Sequence, residues 1–138
     1  MSVPPTSILR QTFRKAEKLC SRKKIETLVE SGKVISIPPY RLSWITESTQ
    51  IFLPAQIAFA VPKKKIRSAV DRNRVKRMMR EVYRKNKNLI YPLLTDAHLH
   101  GSLLMVYTGS TVPEFAQVTE KITLILQRLA QQIQENIR

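Results

Sequence analysis

Residues 63–85 read KKKIRSAVDRNRVKRMMREVYRK, and two patterns are superimposed in them. At 100° per residue, Val75, Met78, Met79 and Val82 fall on an arc of roughly 100°, the stripe with which a helix meets a core. Arg72, Asn73, Lys76, Arg77, Arg80 and Arg84 occupy a separate arc of about 140°, flanked by Arg74. The stretch is therefore predicted as a helix from about Ser68 to Lys85, apolar on one side and cationic on the other. It holds eleven of the chain's 24 Lys and Arg against two acids, Asp71 and Glu81, and so carries +9 of the formal net charge of +14. Residues 86–138 are neutral as a group. A field concentrated in this way attracts a polyanion, and the near absence of acids favours nucleic acid over an ordinary solvated face, which mixes signs.

Arg and Lys at i, i+4 stack along one side of a helix and match the repeating phosphates of a nucleic-acid backbone, and arginine adds planar, forked donors. Asn73 stands between two arginines, where its amide suits a base edge, a ribose hydroxyl or a helix-cap carbonyl. Glu81 follows Arg77 by four residues and is expected to pair with it.

Upstream, residues 1–18 read as an irregular basic lead-in, because Pro4 and Pro5 disfavour a helix, and order is expected to begin near Ser21. SRKKIETLVESG then reads as a short helix capped by Ser21 and ended by Gly32, with Ile25, Leu28 and Val29 on one face. Tyr40, Leu42 and Trp44 alternate with Arg41 and Ser43 as in a half-buried strand, and residues 51–61 make a second, more apolar strand run with Pro54 near its start. A further short strand is possible at 33–37. Val61-Pro62 closes the strand run before the basic segment. Downstream, 86–100 is the least readable stretch, with room for a short helix. GSLLMVYTG reads as a buried strand, and a terminal helix follows Pro113, with Phe115, Val118, Ile122, Ile125, Leu126, Leu129 and Ile133 at helical spacing.

At 138 residues and 43% hydrophobic, the chain suits one domain with one core. Cys20 is the only cysteine, which excludes an internal disulfide and a CxxC cluster and suits a reducing compartment. Neither a secretory h-region nor a membrane-length apolar run is present, so a cytoplasmic protein is expected. The apolar arc of the basic helix is needed for the core, which argues against a membrane-surface role.

The residues Lys64-Lys65, Ala69-Val70, Arg72-Asn73-Arg74, Lys76-Arg77 and Arg80-Glu81 resemble the signature of the bacterial ribonuclease P protein subunit: a lysine pair, a spacer, Ala-Val, any residue, then RNR-x-KR-x-x-RE. The order of elements is similar over about residues 8–135. The resemblance implies a single α+β domain spanning 1–138, with a sheet of about four strands, three helices and a left-handed β-α-β crossover through the basic helix. It also implies that Arg72, Asn73, Arg74, Lys76, Arg77 and Arg80 contact a catalytic RNA subunit. Ile25, Val29, Tyr40, Trp44, Lys64 and Lys65 would lie in or near a cleft, between the first helix and the sheet, for the single-stranded 5′ leader of precursor tRNA. Two departures stand out. Where the family usually presents aromatics on the first helix this chain has Ile25 and Val29, so base stacking is expected to be weaker, or to be supplied by Tyr40 and Trp44 unless those two are ordinary core residues. Lys63 and Arg67 replace a Ser and a Gly around the lysine pair.

The function expected is that of a protein subunit assisting an RNA catalyst in endonucleolytic removal of the leader, monomeric within the ribonucleoprotein, with Mg²⁺ held mainly by RNA and no protein catalytic residue. Metal-activated water at an RNA-held site needs no side-chain base. GxGxxG, GxxxxGKS and GxSxG are all absent from the sequence. One rival is another structural RNA-binding protein, such as a ribosomal one. The other is a protein-only nuclease built on Asp96, His98 and His100, which would share a face if they stood on one strand, although a surface loop explains them better.

Overall fold

The computed structural model describes residues 13–50 and 53–137. In chain order the elements are α1 (Arg22–Ser31), β1 (Lys33–Ile37), β2 (Tyr40–Ser48), β3 (Ala55–Ala60), α2 (Ala69–Asn86), α3 (Tyr91–Asp96), β4 (Leu99–Tyr107) and α4 (Phe115–Ile137), with short 3-10 turns at Lys15–Glu17 and Lys87–Leu89. The strands form one mixed sheet in the order β1-β2-β4-β3. β1–β2 and β2–β4 are antiparallel, and β3 and β4 are parallel neighbours joined through α2 and α3. The protein is thus a single α+β domain on a four-stranded sheet. The short α3, with Pro92 in its first turn, adds to the three long helices and fills the stretch that the sequence left open.

Local chemistry sets the helix ends. Ser21 Oγ accepts from Lys24 N at 3.3 Å, and Gly32 N donates to Leu28 O at 3.0 Å. A Cβ at Gly32 would lie 2.6 Å from that carbonyl oxygen, so the chain turns into β1 where only glycine fits. At the start of α2, Ser68 Oγ accepts from Asp71 N at 3.3 Å, while Arg84 and Lys85 close the last turn, where cations complement the helix dipole.

The period-two alternation of the strands divides the sheet into two faces. Ile35, Ile37, Tyr40, Leu42, Trp44, Ile57, Leu103, Met105 and Tyr107 point to one side and join Val75, Met79, Val82 and Tyr83 of α2 and Val118, Ile122, Ile125, Leu126, Leu129 and Ile133 of α4 in the main core. Each such buried apolar side chain contributes about 1.5–3 kcal/mol. Phe115 departs from the expected apolar stripe: it stands in the first turn of α4 and is exposed. On the opposite face a smaller cluster forms around Leu19, Leu28 and Leu104, with Ile25, Ile45, Ala58, Ala60 and Val106 half-buried against it, and here α1 crosses β2 and β4.

Order begins earlier than Ser21. Lys18 forms a parallel bridge to Ile57, Leu19 N donates to Ile57 O at 3.0 Å, and Gln56 Nε2 donates to Ala16 O at 3.1 Å. These bonds lay residues 16–19 along the free edge of β3. Glu17 anchors them: it is 7% exposed, and its oxygens lie 3.0 and 2.9 Å from Lys87 Nζ, itself 2% exposed. Tyr91 Oη donates to the same carboxylate at 3.0 Å and lies 2.9 Å from Tyr83 Oη. The expected irregular lead-in over 1–18 is corrected for its last residues; residues 1–12 lie outside those described.

Candidate nucleic-acid interface

Helix α2 turns its cationic arc outward, but the six residues assigned to it do not play equal parts. Asn73, Arg74 and Arg77 are exposed, and Lys76 is half-buried. Arg72 folds back instead: its Nη1 donates to Ile66 O at 2.9 Å and to Arg67 O at 2.7 Å, which clasps the preceding loop to the helix. Arg80 lies over the Phe13 ring, with its guanidinium carbon 5.9 Å from the centroid and its Nε buried without a partner. The expected Arg77–Glu81 pair does not form. Glu81 turns towards the helix C-terminus and meets Arg84 (Nε–Oε2 3.2 Å) and Lys85 (3.8 Å), and the Arg84 hydrogen bond holds its carboxyl below the ordinary carboxylate value. Arg77 thereby loses its one acid within helical reach, and none of Arg74, Lys76 and Arg77 has an acidic partner among the described residues.

Lys64 and Lys65 are exposed in the turn that follows β3, anchored by the buried Ile66 and by the bond from Lys65 N to Pro62 O at 3.1 Å. The turn leaves the sheet at the end where Ala60 pairs with Val106 and Arg41 faces Val106. On the α1 face of that end the floor is made of Ala58, Ala60 and Val106, small or short side chains left half-buried, with Arg41 exposed beside them. Ile25 is half-buried in the helical wall and Val29, 66% exposed, stands on its outer side. A shallow apolar trough results, with cations near one end.

Tyr40 and Trp44 are not in it. Both are 1% exposed and belong to the main core on the other face of the sheet, where Tyr40 Oη donates to Gln117 Oε1 at 3.0 Å. The alternation Tyr40-Leu42-Trp44 correctly marked a buried face, but α4 covers that face and α1 covers the other, so neither ring reaches the trough. This corrects their assignment to the leader cleft. Sequence reasoning missed Arg41 and the small floor residues, although Ala58 and Ala60 at i, i+2 on one strand were a legible sign of a backbone left open to approach.

Asp96, His98 and His100 do not share a strand face. Asp96 ends α3, His98 occupies a turn at φ 56°, and His100 is buried in β4 with Nδ1 2.6 Å from Leu53 O.

The family model described as Ribonuclease P matches residues 13–130. A protein component of ribonuclease P from Porphyromonas gingivalis strain W83 is 32% identical over 130 residues, 94% of this chain and 92% of that one. The chain belongs to the ribonuclease P protein family. The ribonuclease P protein component of Chlorobium phaeobacteroides is 28% identical over 128 residues, covering 86% of this chain and 88% of its own. Among solved structures, the ribonuclease P protein of Staphylococcus aureus superposes with a TM-score of 0.65 at 17% identity, over 83% of this chain and 96% of that one. That of Thermotoga maritima gives 0.63 at 20% identity, over 81% and 96%. Identities this low speak for the fold alone, and they agree with the four-stranded α+β architecture. The chain is thus a protein component of ribonuclease P, a tRNA-processing ribonucleoprotein.

Proposed function

We propose that this chain binds the ribonuclease P RNA through the outward face of α2 and receives the 5′ leader of precursor tRNA in the trough between α1 and the sheet, while the RNA performs the cleavage. The observation that carries the reading is the pairing pattern on α2. Arg74, Lys76 and Arg77 are left without acidic partners among the described residues, and Glu81, the acid within helical reach of Arg77, is engaged by Arg84 and Lys85. Unpaired cations on a rigid helix meet phosphates without first breaking ion pairs, and counterion release then favours binding. Lys64, Lys65 and Arg41 supply charge for the leader backbone; Ile25 and Val29 border the trough.

The reading assigns Mg²⁺ mainly to RNA phosphates, where metal-activated water needs no side-chain base. The protein offsets phosphate repulsion between two RNAs and positions one of them. It acts as a monomer within the cytoplasmic ribonucleoprotein; no helix among the described residues is long and apolar enough to cross a membrane.

The test is cleavage of a precursor tRNA at low Mg²⁺ by this protein alone, by a bacterial ribonuclease P RNA alone, and by both. Activity only in the mixture supports the reading. Activity of protein freed of carried-over RNA points instead to a protein nuclease, and failure to assist several such RNAs points to another structural RNA-binding role.

A further inference from the structure

Glu17 is the only acid among the first 25 residues, and the fold removes it from the surface. Both its oxygens are taken by Lys87, just beyond the C-terminus of α2, and one of them also accepts from Tyr91. Apolar side chains of the same size would hold the two segments together about as well, so packing alone does not call for an ion pair there. What the pair does is to fix the register of residues 13–19 against α2 while leaving their cations outside without an exposed acid among them. Phe13 packs edge-on against Tyr83 with ring centroids 6.0 Å apart, directly beneath Arg80. From there the segment passes round the β3 edge to the Lys18–Ile57 bridge, and Arg14, Lys15 and Lys18 are all exposed along it.

We propose that Arg14, Lys15 and Lys18 form a second docking strip for the phosphate backbone of the RNA subunit, continuous with the α2 face at Arg80 and locked to it by the buried Glu17–Lys87 pair. The proposal rests on the reading that α2 docks on that RNA. Phe13 packs against the main core and Leu19 is buried, so the strip keeps no apolar side to insert into a membrane, and cations without an apolar rim suit phosphates better than a protein partner. The RNA subunit is preferred over the leader because the strip continues the helix face.

The experiment is the affinity of the full-length protein for ribonuclease P RNA across a salt series, for the unaltered chain, Lys15→Glu/Lys18→Glu, Arg74→Ala/Arg77→Ala and Glu17→Gln/Lys87→Met. The Lys15/Lys18 variant should bind at least about tenfold more weakly, with a salt slope lower by between about one and two. Glu17→Gln/Lys87→Met alters two residues too buried to touch RNA. It should nonetheless weaken binding while circular dichroism stays native, and add little when combined with the Lys15/Lys18 changes; if it does not fold, the Lys15/Lys18 variant decides alone. Should that variant bind normally while Arg74→Ala/Arg77→Ala binds weakly, the strip is refuted and the helix docking stands. Normal binding by both sinks the docking reading and the strip with it. Normal RNA-subunit affinity with loss of precursor tRNA binding by the assembled complex overturns the assignment to the RNA subunit.

Discussion

Arg72 Nη1 lies 2.7 Å from the carbonyl oxygen of Arg67, so the first arginine of the RNR run spends at least one donor on its own loop. With the second bond to Ile66 O, this clasp fixes the turn bearing Lys63, Lys64 and Lys65 to the start of α2. Arg74, two residues on, is exposed and has no acidic partner among the described residues. The two arginines should therefore separate by experiment. Arg72→Ala is expected to lower stability by about 1–2 kcal/mol, the worth of a charge-assisted bond in a half-exposed site, as well as weakening RNA binding. Arg74→Ala should leave the melting temperature unchanged, cost on the order of 1–3 kcal/mol of RNA affinity, and make the salt dependence shallower by about one phosphate. Thermal melts and salt-titrated binding of both variants check this, and equal melting temperatures would remove the clasp.

Trp44 is the chain's only tryptophan and is 1% exposed in the core covered by α4. Its emission should be blue-shifted, resistant to soluble quenchers, and unchanged when precursor tRNA is added to the assembled complex. Trp44→Ala should cost about 3–5 kcal/mol of stability, with leader affinity unaltered in whatever fraction remains folded. A leader-dependent change in emission would return Trp44 to the binding surface.

All four tyrosines have ionisation pushed above the ordinary value of 10.0, chiefly by burial, with Tyr83 and Tyr91 further constrained beside Glu17. A group whose value is raised on folding stabilises the fold fully below its unfolded value and loses that contribution as the pH rises towards its folded one. Stability should accordingly be independent of these groups up to about pH 10 and fall above it. In a spectrophotometric titration, tyrosinate absorbance should appear together with the loss of circular dichroism. A tyrosine ionising near pH 10 in still-folded protein would contradict the burial argument.

Much of this fold was legible because the elements announce themselves locally. The caps at Ser21 and Gly32, the two arcs of α2 and the seven-residue stripe of α4 are repeats within single segments, and six of the seven stripe residues are buried. The motif around Arg72-Asn73-Arg74 carried the rest of the topology. What failed to show were relationships between segments. Alternation in β2 separates two faces but does not say which helix lies on which, and at Tyr40 and Trp44 the placement in the cleft that the resemblance implies fails, because α4 covers that face. Glu17 and Lys87 are 70 residues apart, each an unremarkable charge in a basic context, and nothing local marks them as buried partners. Glu81 had basic neighbours on both sides, and the helical spacing to Arg77 did not distinguish it from Arg84 and Lys85, towards which the side chain turns.

Val29 offers the most direct test of the trough, because it is 66% exposed on α1 and has no packing role to lose. With Tyr40 and Trp44 on the other face, the half-buried and buried apolar residues that cluster on the α1 side are, among the described residues, all aliphatic: Leu19, Ile25, Leu28, Ile45, Ala58, Ala60, Leu104 and Val106. A leader lying there would be held by its phosphates and by contact with aliphatic surface, without ring stacking. An aromatic stacked on an unpaired base contributes about 1–3 kcal/mol. Val29→Phe should therefore tighten binding of precursor tRNA to the assembled complex by roughly tenfold, within the range of that stacking free energy, while leaving affinity for leaderless tRNA and for the RNA subunit as they were. Competition binding with leader-bearing and leaderless tRNA measures both quantities at once. If Val29→Phe gave equal gains for the two tRNAs, the ring would be meeting the tRNA body, and the leader would have to be placed elsewhere on the protein.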